Sequence, residues 1–415
     1  MIRSLKRSRP TAICVLLVLL ALGTPAASQA GDEPLDYRIE LTAAAGGFDG
    51  QTCWVHARAG AIPAGAPGNP GTTPLVVMTM QKLLLTGSDV FYALHNLWTD
   101  DLGKTWTQPR LQPVFERQKM GDDIEMTVCD FWPKWHAASG KLLGTGHTVW
   151  YQNNRVMPVR KRHTAYAVYD PAARAWLPWK QLEMPDDPRF ANAGAGCTQR
   201  VDLPGGDILL PIYFKRPEDK VSSTTVVRCR FDGETLRYVE HGSELSTEVP
   251  RGFGEPSLAK FGERFFLTIR NDQKGYVAAG PDGLHFDEPK PWTFDDGTEL
   301  GSYNTQQHWV AHRDGLFLVY TRRGANNDHV FRHRAPLFMA RVDPQRLCVL
   351  RATERVLVPE RGARLGNFGV TKVSSDETWV TAAEWMQPRG VEKRGSDNRV
   401  WVAKIKWNQP NRASD

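Results

Sequence analysis

Residues Gly252 to Phe286, GFGEPSLAKFGERFFLTIRNDQKGYVAAGPDGLHF, form the most informative segment of the chain. A Gly-Glu-Pro turn holding Glu255 precedes an apolar run, and a Gly-Glu pair at Gly262 predicts a hairpin. The next run, Arg-Phe-Phe-Leu-Thr-Ile, has the β-branched and aromatic residues that are enriched in strands, and Arg270 ends it. An Asp-Gly turn and an aromatic residue close the segment. This succession predicts a four-stranded antiparallel meander, the unit of a β-propeller blade.

The rest of the chain repeats this alternation of short strands and turns. No long segment has a sustained 3.6-residue period, so the pattern predicts an all-β protein with short connections. An early strand at Tyr37–Leu41 is expected to close the ring of blades against the last one. The other clear strand-like runs are Leu75–Met80, Val90–Leu97, Leu142–Thr148, Thr164–Tyr169, Ile208–Tyr213, Thr225–Phe231, Phe265–Ile269, Leu316–Tyr320 and Trp379–Ala383.

An Asp-containing turn recurs along the chain and indicates the number of repeats. Its best copy runs from Thr99 to Trp106, and a C-terminal strand follows at Val400–Trp407. The weaker copies hold Asp170, Asp232, Asp282 and Asp343. In each turn the aspartate is expected to bind its own backbone while the aromatic residue packs between sheets, which is a structural role. Five copies and the last strand predict a six-bladed β-propeller of four-stranded antiparallel blades.

The first 30 residues have the pattern of a cleaved secretory signal. A basic start is followed by an apolar run, Thr11–Gly23, and small residues offer a cleavage site near Ala30. The apolar run is too short to span a bilayer comfortably, and no later run reaches about 18 apolar residues. We therefore expect a secreted or periplasmic protein without stable membrane insertion. The predicted domains are a signal peptide at 1–30, the propeller at 31–408 and a disordered tail at 409–415.

Composition limits the partners and cofactors. The chain has 52 Lys and Arg against 46 Asp and Glu, and four of the basic residues lie in the signal segment. The remaining 48 against 46 gives no argument for nucleic-acid binding. Five cysteines follow the signal, widely spaced and without a C-x-x-C pair, which indicates neither a disulfide framework nor a zinc site. One or two bridges and buried free thiols both stay open. We expect no cofactor and no metal, and the oligomeric state is not predicted.

These motifs resemble the sialidase (neuraminidase) superfamily, whose six-bladed propellers carry Asp-box, or BNR, repeats. The segment from Thr99 to Trp106 fits the repeat in its S/T-x-D-x-G-x-T-W form. Glu255 and Arg270 fit the family's Glu-Pro motif with an arginine ending the next strand. The resemblance extends over nearly the whole mature chain. It implies an exo-acting glycoside hydrolase whose partner is a glycan ending in a carboxylate-bearing sugar.

The resemblance also implies three arginines that bind the sugar carboxylate. Arg58 lies in a segment that resembles the family's first-blade Arg-Ile-Pro, and Arg270 matches the second arginine. Arg334 best matches the third, with Arg332 as the alternative. Converging guanidiniums would bind a carboxylate through charge-assisted, often bidentate bonds. Glu384 resembles the glutamate that steadies the first arginine.

An acid and a base are implied in the same way. Asp89 precedes the first Asp-box and resembles the family's general acid/base, which donates a proton to the leaving oxygen. An ordinary turn aspartate is the alternative interpretation of Asp89. Glu255 resembles the glutamate that polarises a tyrosine nucleophile.

The nucleophile is the point at which the chain departs from the family. Phe368 stands where a tyrosine is expected, and a phenyl ring has no oxygen with which to attack. Glu255 would then act directly as base or nucleophile, or Tyr303 or His308 would enter the site from the fifth blade. His147 is a further candidate for contact with the substrate.

Three functions therefore stay open. The leading one is a sialidase-type hydrolase that removes a terminal acidic sugar. The second is a uronate-directed lyase or hydrolase using His308 or His147, because histidine and tyrosine can serve as base and acid beside an arginine-bound uronate. The third is a catalytically silent glycan-binding propeller, since propellers host many functions.

Overall fold

The computed structural model describes Met1 and residues 34–413. The predicted signal peptide, except Met1, and its cleavage site near Ala30 therefore lie outside the described residues. From Leu35 onward the described chain belongs to one unit. Its helical content within these bounds is limited to short 3₁₀ turns, so the all-β prediction is confirmed. These turns are Pro113–Phe115, Pro188–Ala191, Phe331–His333, Arg351–Thr353 and Val391–Arg394.

Each run predicted from sequence corresponds to a strand, most of them one to several residues longer than predicted, although the run predicted from Val90 begins at Phe91. In chain order they are β1 (Tyr37–Ala45), β2 (Thr52–Ile62), β3 (Leu75–Leu84), β4 (Phe91–Thr99), β5 (Arg110–Leu111), β6 (Gln118–Gly121), β7 (Ile124–His136), β8 (Lys141–Gln152), β9 (Arg155–Val156), β10 (Thr164–Asp170), β11 (Ala175–Trp176), β12 (Lys180–Gln181), β13 (Ala193–Gly194), β14 (Val201–Asp202), β15 (Asp207–Phe214), β16 (Ser223–Phe231), β17 (Leu236–His241), β18 (Gly254–Phe261), β19 (Arg264–Arg270), β20 (Tyr276–Gly280), β21 (Lys290–Pro291), β22 (His308–His312), β23 (Gly315–Tyr320), β24 (Leu337–Asp343), β25 (Cys348–Val349), β26 (Arg355–Val358), β27 (Gly369–Lys372), β28 (Glu377–Ala383) and β29 (Val400–Trp407).

These strands form six sheets that follow chain order. Sheet 1 contains β2 to β5, sheet 2 contains β6 to β12, and sheet 3 contains β13 to β17. Sheet 4 contains β18 to β21, sheet 5 contains β22 to β26, and sheet 6 joins β27, β28 and β29 to β1. Sheets 1, 4 and 6 have the predicted four strands. The prediction is wrong for the others, because two-residue strands such as β9 and β12 pair with the projecting ends of longer neighbours.

The sheets are arranged around a common axis. β2 lies against β7, β8 against β13, β15 against β18, β18 against β22, and β22 against β27. The ring closes because β27 also lies against β2. The predicted β-propeller is therefore confirmed. As expected, the first strand completes the last sheet: β1 pairs with β29, with Tyr37 opposite Trp407.

The five repeated aspartates hold their own turns, as the sequence predicts. One carboxylate oxygen of each accepts backbone N–H bonds from residues two to four positions ahead. In the best copy, Trp106 then packs against Trp379 of sheet 6, with ring centroids 6.0 Å apart. This turn therefore connects sheet 1 to sheet 6.

Two further expectations are settled by the described residues. The predicted disordered tail is wrong for its described part, because Asn411 is buried and its side chain bonds to Arg313 N at 3.1 Å and Ala311 O at 2.8 Å. Those bonds satisfy backbone groups at the end of a sheet 5 hairpin, a need that composition does not show. The five described cysteines are all buried free thiols. Within the described chain no helix is long and apolar enough to cross a membrane.

Candidate active site

Five residues on or next to the innermost strands have a left-handed backbone. They are His56, Asp130, Cys197, Glu255 and Asn367, with φ from 44° to 59°. Three of them lie at bulges, in β2, β7 and β18. The Asp130 carboxylate contacts three of the others, since its Oδ1 lies 3.3 Å from His56 Nε2, 2.7 Å from Cys197 Sγ and 3.2 Å from Asn367 Nδ2. We call these five residues the axial ring. A left-handed backbone costs free energy in non-glycine residues, and such strain is concentrated at functional sites.

Arg58 is paired inside the axial ring. Both of its terminal nitrogens lie 3.3 Å from Asp130 Oδ1, and Nη2 donates to Cys197 Sγ at 3.1 Å. Burial raises the pKa of Asp130, but the nearby His56 and Arg58 hold that pKa well below its usual range. Asp130 therefore already neutralises the guanidinium that was predicted to bind a ligand together with Arg270 and Arg334.

Glu384 does not contact Arg58 as expected. Its Oε1 lies 3.2 Å from Arg361 Nη1, and its Oε2 accepts the backbone N–H groups of Asp397 and Arg399 at 3.0 and 3.1 Å. Glu384 therefore holds a turn of sheet 6. The carboxylate beside Arg58 is that of Asp130, although the resemblance implied Glu384 at that place.

Glu255, one of the five residues of the axial ring, forms a buried ion pair with Arg270. Arg270 Nη1 donates to Glu255 Oε1, and its Nη2 lies 3.2 Å from Asp272 Oδ1. Arg251 Nη2 is 3.7 Å from the same Glu255 oxygen. Burial raises the pKa of Glu255, but the charges of Arg270 and Arg251 outweigh it and hold the pKa below its ordinary value. Glu255 is thus ionised and able to accept a proton.

Arg334 lies beside this pair without a carboxylate partner. Its Nη2 donates to the backbone oxygen of Asn304, whose Oδ1 accepts from Arg270 Nη2 at 2.9 Å. The side chain of Arg334 is buried, its Nε has no partner, and no Asp or Glu of the described chain lies within ion-pair distance of it. Burial and the charge of Arg270 hold the pKa of Arg334 well below its ordinary value. Two guanidiniums thus meet at Asn304 with only one of them neutralised.

Arg364 and Arg332 add to this positive charge. Arg364 is buried over the ring of Trp385 at 4.5 Å, and its Nη2 donates to Gln387 Oε1 at 2.9 Å. Burial lowers the pKa of Arg364 to about 10, Asp89 opposes that shift, and Arg332 adds to it. Neither arginine pairs with a carboxylate within the described part of the chain.

Asp89 is exposed on a loop near Arg332 and Arg364, and we call the region of Asp89 and the arginines Arg270, Arg332, Arg334 and Arg364 the mouth of the site. Tyr151 Oη donates to the backbone oxygen of Asp89 at 3.0 Å, and Gln387 Nε2 donates to Gly87 O at 2.9 Å. Its charge reaches Arg364 and Arg332. Asp89 therefore lies close enough to these two arginines for their charges to interact.

A tyrosine, a histidine and an aspartate form a chain from this mouth into the axial ring. Tyr213 Oη lies 3.3 Å from His147 Nδ1, and His147 Nε2 lies 3.5 Å from Asp130 Oδ2. Burial lowers the pKa of His147, so its ring is neutral at pH 7 and able to accept a proton. Burial raises the pKa of Tyr213, while Arg162, stacked 4.3 Å from its ring centroid, opposes that shift.

His308 and Tyr303 contact other residues. His308 is fully buried, its Nδ1 is 2.7 Å from Ser257 Oγ, and its ring packs edge-on against Phe368. Burial holds the pKa of His308 well below its usual range. Tyr303 lies on the rim of the mouth, where its Oη is 2.6 Å from His333 Nδ1. The described contacts of neither side chain include Glu255.

Position 368 provides no nucleophile. Phe368 is fully buried in the apolar core between sheets 5 and 6. The preceding residue, Asn367, faces the site instead and donates to Asp130 Oδ1 at 3.2 Å. An amide therefore stands at the axis where the resemblance leads us to expect a hydroxyl.

One group in the described chain has metal-ligand chemistry. The three residues Cys129, Asp130 and His147 are buried, and one possible ligand atom from each lies within 4.8 Å of the other two. The charge balance does not fit a divalent cation, because Arg58 already neutralises Asp130 and a further buried positive charge would be uncompensated. We assign no metal to this group.

A cavity of about 370 Å³ lies farther along the axis. Its lining follows the axial ring along each innermost strand, for example Trp132 after Asp130 and Leu258 after Glu255. Its lining includes neither Arg270 nor Arg334. The axial ring therefore separates this cavity from the arginine-rich mouth.

Sequence reasoning missed Asp130, Tyr213 and Arg364. Asp130 lies inside the apolar part of β7, and this was a usable signal of a buried partner, since aspartate is depleted in strands and rarely buried without a partner. Tyr213 and Arg364 carry no comparable local signal, because their importance comes from neighbours on other sheets.

Comparison with known proteins places the fold. No family model matches the chain, and no curated protein matches it by sequence. A solved structure from Dyadobacter fermentans, of unknown function, matches with a TM-score of 0.59 at 13% identity, covering 89% of this chain and 99% of that one. The NanB sialidase of Streptococcus pneumoniae matches with a TM-score of 0.57 at 10% identity, covering 88% and 70%. The Trypanosoma rangeli sialidase matches with a TM-score of 0.54 at 12% identity, covering 84% and 55%.

These likenesses concern the fold alone, because the identities are so low. The chain has a sialidase-like β-propeller fold. It spans 55 to 70% of the length of the two sialidases.

Proposed function

We propose that this protein is a secreted, exo-acting glycoside hydrolase of sialidase type that removes a terminal acidic sugar, such as sialic acid, from a glycan. One observation carries the proposal: Arg334 is buried at the mouth without a carboxylate partner. A buried cation is strongly destabilising unless it is paired. The carboxylate of a bound sugar would supply that partner.

The geometry suits a carboxylate in particular. Arg270 and Arg334 both donate to oxygens of Asn304, so two guanidiniums are aimed at one region. Arginine recognises planar, two-oxygen acceptors well, because its donors form a fixed fork. Arg270 is already paired with Glu255, and Arg334 therefore contributes the unsatisfied charge.

Asp89 and Glu255 are the residues to which we assign the chemistry. Asp89 donates its proton to the leaving oxygen as the glycosidic C–O bond breaks. Glu255, held ionised by Arg270, takes a proton from the water that attacks the anomeric carbon. This assignment needs no hydroxyl at Phe368.

A second candidate function is eliminative cleavage of a uronate-containing glycan. The Tyr213–His147–Asp130 chain favours it, because a neutral histidine beside a tyrosine hydroxyl can serve as base and acid next to an arginine-bound uronate. In that case His147, rather than His308, is the functional histidine.

The test is to assay release of free acidic sugar from sialosides and, in parallel, the ultraviolet absorbance of unsaturated uronates. The variants Arg334→Met, Glu255→Gln and Tyr213→Phe are compared with the parent protein. Free sugar release that falls at least 100-fold in Arg334→Met and Glu255→Gln supports the hydrolase. Absorbance growth that is lost in Tyr213→Phe supports the lyase instead.

Binding without either product would leave a glycan-binding propeller, provided that Arg334→Met abolishes it. If sialosides and uronate glycans neither bind nor react, the acidic-sugar proposal is wrong.

We further infer that each of the six sheets is one blade and that the five Asp turns are Asp-box repeats. The pairing of β1 with β29 and the shared hydrogen-bond pattern of the turns support this count.

A further inference from the structure

Unpaired arginines lie on two sides of Asp89. One side is the group already described, Arg332, Arg334 and Arg364. The other is the segment between β8 and β10, which holds Arg160 and Arg162. We call these two the loop arginines.

Hydrogen bonds connect the Asp89 loop to the first side. Arg364 Nη2 donates to Gln387 Oε1 at 2.9 Å, and Gln387 Nε2 donates to Leu85 O at 2.8 Å and to Gly87 O at 2.9 Å. The loop and Arg364 are therefore held by one amide.

A second set of bonds connects the loop to the other side. Tyr151, at the end of β8, donates from Oη to Asp89 O at 3.0 Å. The chain then turns back, with Met157 N bonded to Trp150 O at 3.0 Å, and Arg160 Nη1 donates to Met157 O at 2.6 Å. Arg162 stacks over Tyr213, 4.3 Å from its ring centroid.

The charges at the mouth do not balance. Arg251 and Arg270 are matched by the carboxylates of Glu255 and Asp272, which lie within 4.0 Å of them. Five arginines remain against Asp89, and none of them pairs with a carboxylate of the described chain. They are Arg160, Arg162, Arg332, Arg334 and Arg364. A single sugar carboxylate would leave most of this charge unmatched.

Arg160 lies within this excess of positive charge. Burial lowers the pKa of Arg160, the charge of Arg162 lowers it further, and Asp89 opposes both. Both side chains are half-buried, so water screens them less than it screens a fully exposed arginine. Such a pair has more to gain from a bound anion than a solvated surface arginine has.

We propose that the substrate carries a second anionic group on the sugar beyond the cleaved bond, and that Arg160 and Arg162 bind it. This rests on the proposed function, in which Arg270 and Arg334 hold the terminal carboxylate and Asp89 protonates the leaving oxygen. The preferred substrate class is therefore a glycan with acidic groups on consecutive sugars, carried as carboxylate or sulfate. A lone acidic cap on a neutral chain is the poorer substrate.

Three probes with the same terminal sugar test the proposal: sialyl-galactose, the same disaccharide sulfated on the galactose, and the sialic acid dimer. For the uronate alternative, the corresponding probes carry a glucuronate whose O4 is substituted by a neutral or a sulfated sugar, because elimination expels the group on that oxygen. We expect kcat/KM, or the binding constant where turnover is absent, to favour the charged neighbour by about tenfold or more. The sulfated and dimeric probes distinguish sulfate from carboxylate.

Arg160→Gln should bring that ratio close to one. Lys161→Gln is the matched control, since Lys161 is exposed on the same segment and its replacement removes the same charge. An equal ratio for all probes in the parent, or an equal fall in both variants, overturns the proposal while leaving the acidic-sugar function intact. No binding or turnover of any probe removes the proposed function and this inference together.

Discussion

Arg58 and Arg334 are both buried arginines near the axis, yet their surroundings differ. Arg58 has Asp130 at 3.3 Å from two of its nitrogens, and its charge is neutralised by the protein itself. Within the described chain, the Arg334 guanidinium donates to the oxygens of Asn304, has no carboxylate partner and lies among other arginines. A buried arginine is therefore structural when the fold supplies its anion, and it is available for ligand binding when the fold supplies none.

The largest effect is expected on the paired side. Arg58→Met leaves Asp130 buried without its guanidinium, and losing one partner of a buried ion pair costs about 3–5 kcal/mol. Chemical denaturation should show that loss in the free energy of unfolding. The double variant with Asp130→Asn should recover part of it. A stability unchanged by Arg58→Met would show that the pair does not support the fold.

The next effect concerns the pH dependence of the same ring. Burial lowers the pKa of His56 to about 4, so the unfolded chain takes up its proton first, below about pH 6.5. Stability contributed by neutral His56 is therefore present above pH 6.5 and lost as the pH falls toward 4, by about 3 kcal/mol. Denaturation of the parent and of His56→Gln at pH 7 and pH 4 should show a smaller loss in the variant. Equal losses would contradict the assignment.

Arg334→Met tests the unpaired side. We expect stability to stay equal or rise, because a buried cation without a partner is removed. Affinity for a carboxylate-bearing sugar should fall about 100-fold, which corresponds to about 2.8 kcal/mol. Thermal melting and titration calorimetry on one preparation measure both. A strong loss of stability would place Arg334 with Arg58 and remove the distinction between them.

The smallest effect is expected far from the axis. Asp101→Ala removes the acceptor for two backbone N–H groups of its turn, and we expect about 1 kcal/mol of lost stability without any change in ligand binding. The neighbouring Asp100→Ala, at an exposed position, is the control. If Asp101→Ala weakened binding, the turns would have a role beyond the fold.

The candidate site was predictable where the signal is local. Glu255 and Arg270 lie together, as their positions in one hairpin imply, and Asp89 reaches the arginines. The partner of Arg58 was not predictable, because Asp130 belongs to another sheet. Tyr213 and His147 also come from different sheets, and their contact depends on how sheets 2 and 3 are packed.

The sequence by itself determined the all-β propeller, its longer strands, the turns held by aspartate and the closure of β1 on β29. These features rest on alternation, turn chemistry and repeats, all of which act within a few residues along the chain. Only the tertiary structure decided which buried charges are matched. Neutralisation depends on distances between side chains from different sheets, so it is a property of the closed ring and cannot be read along the chain.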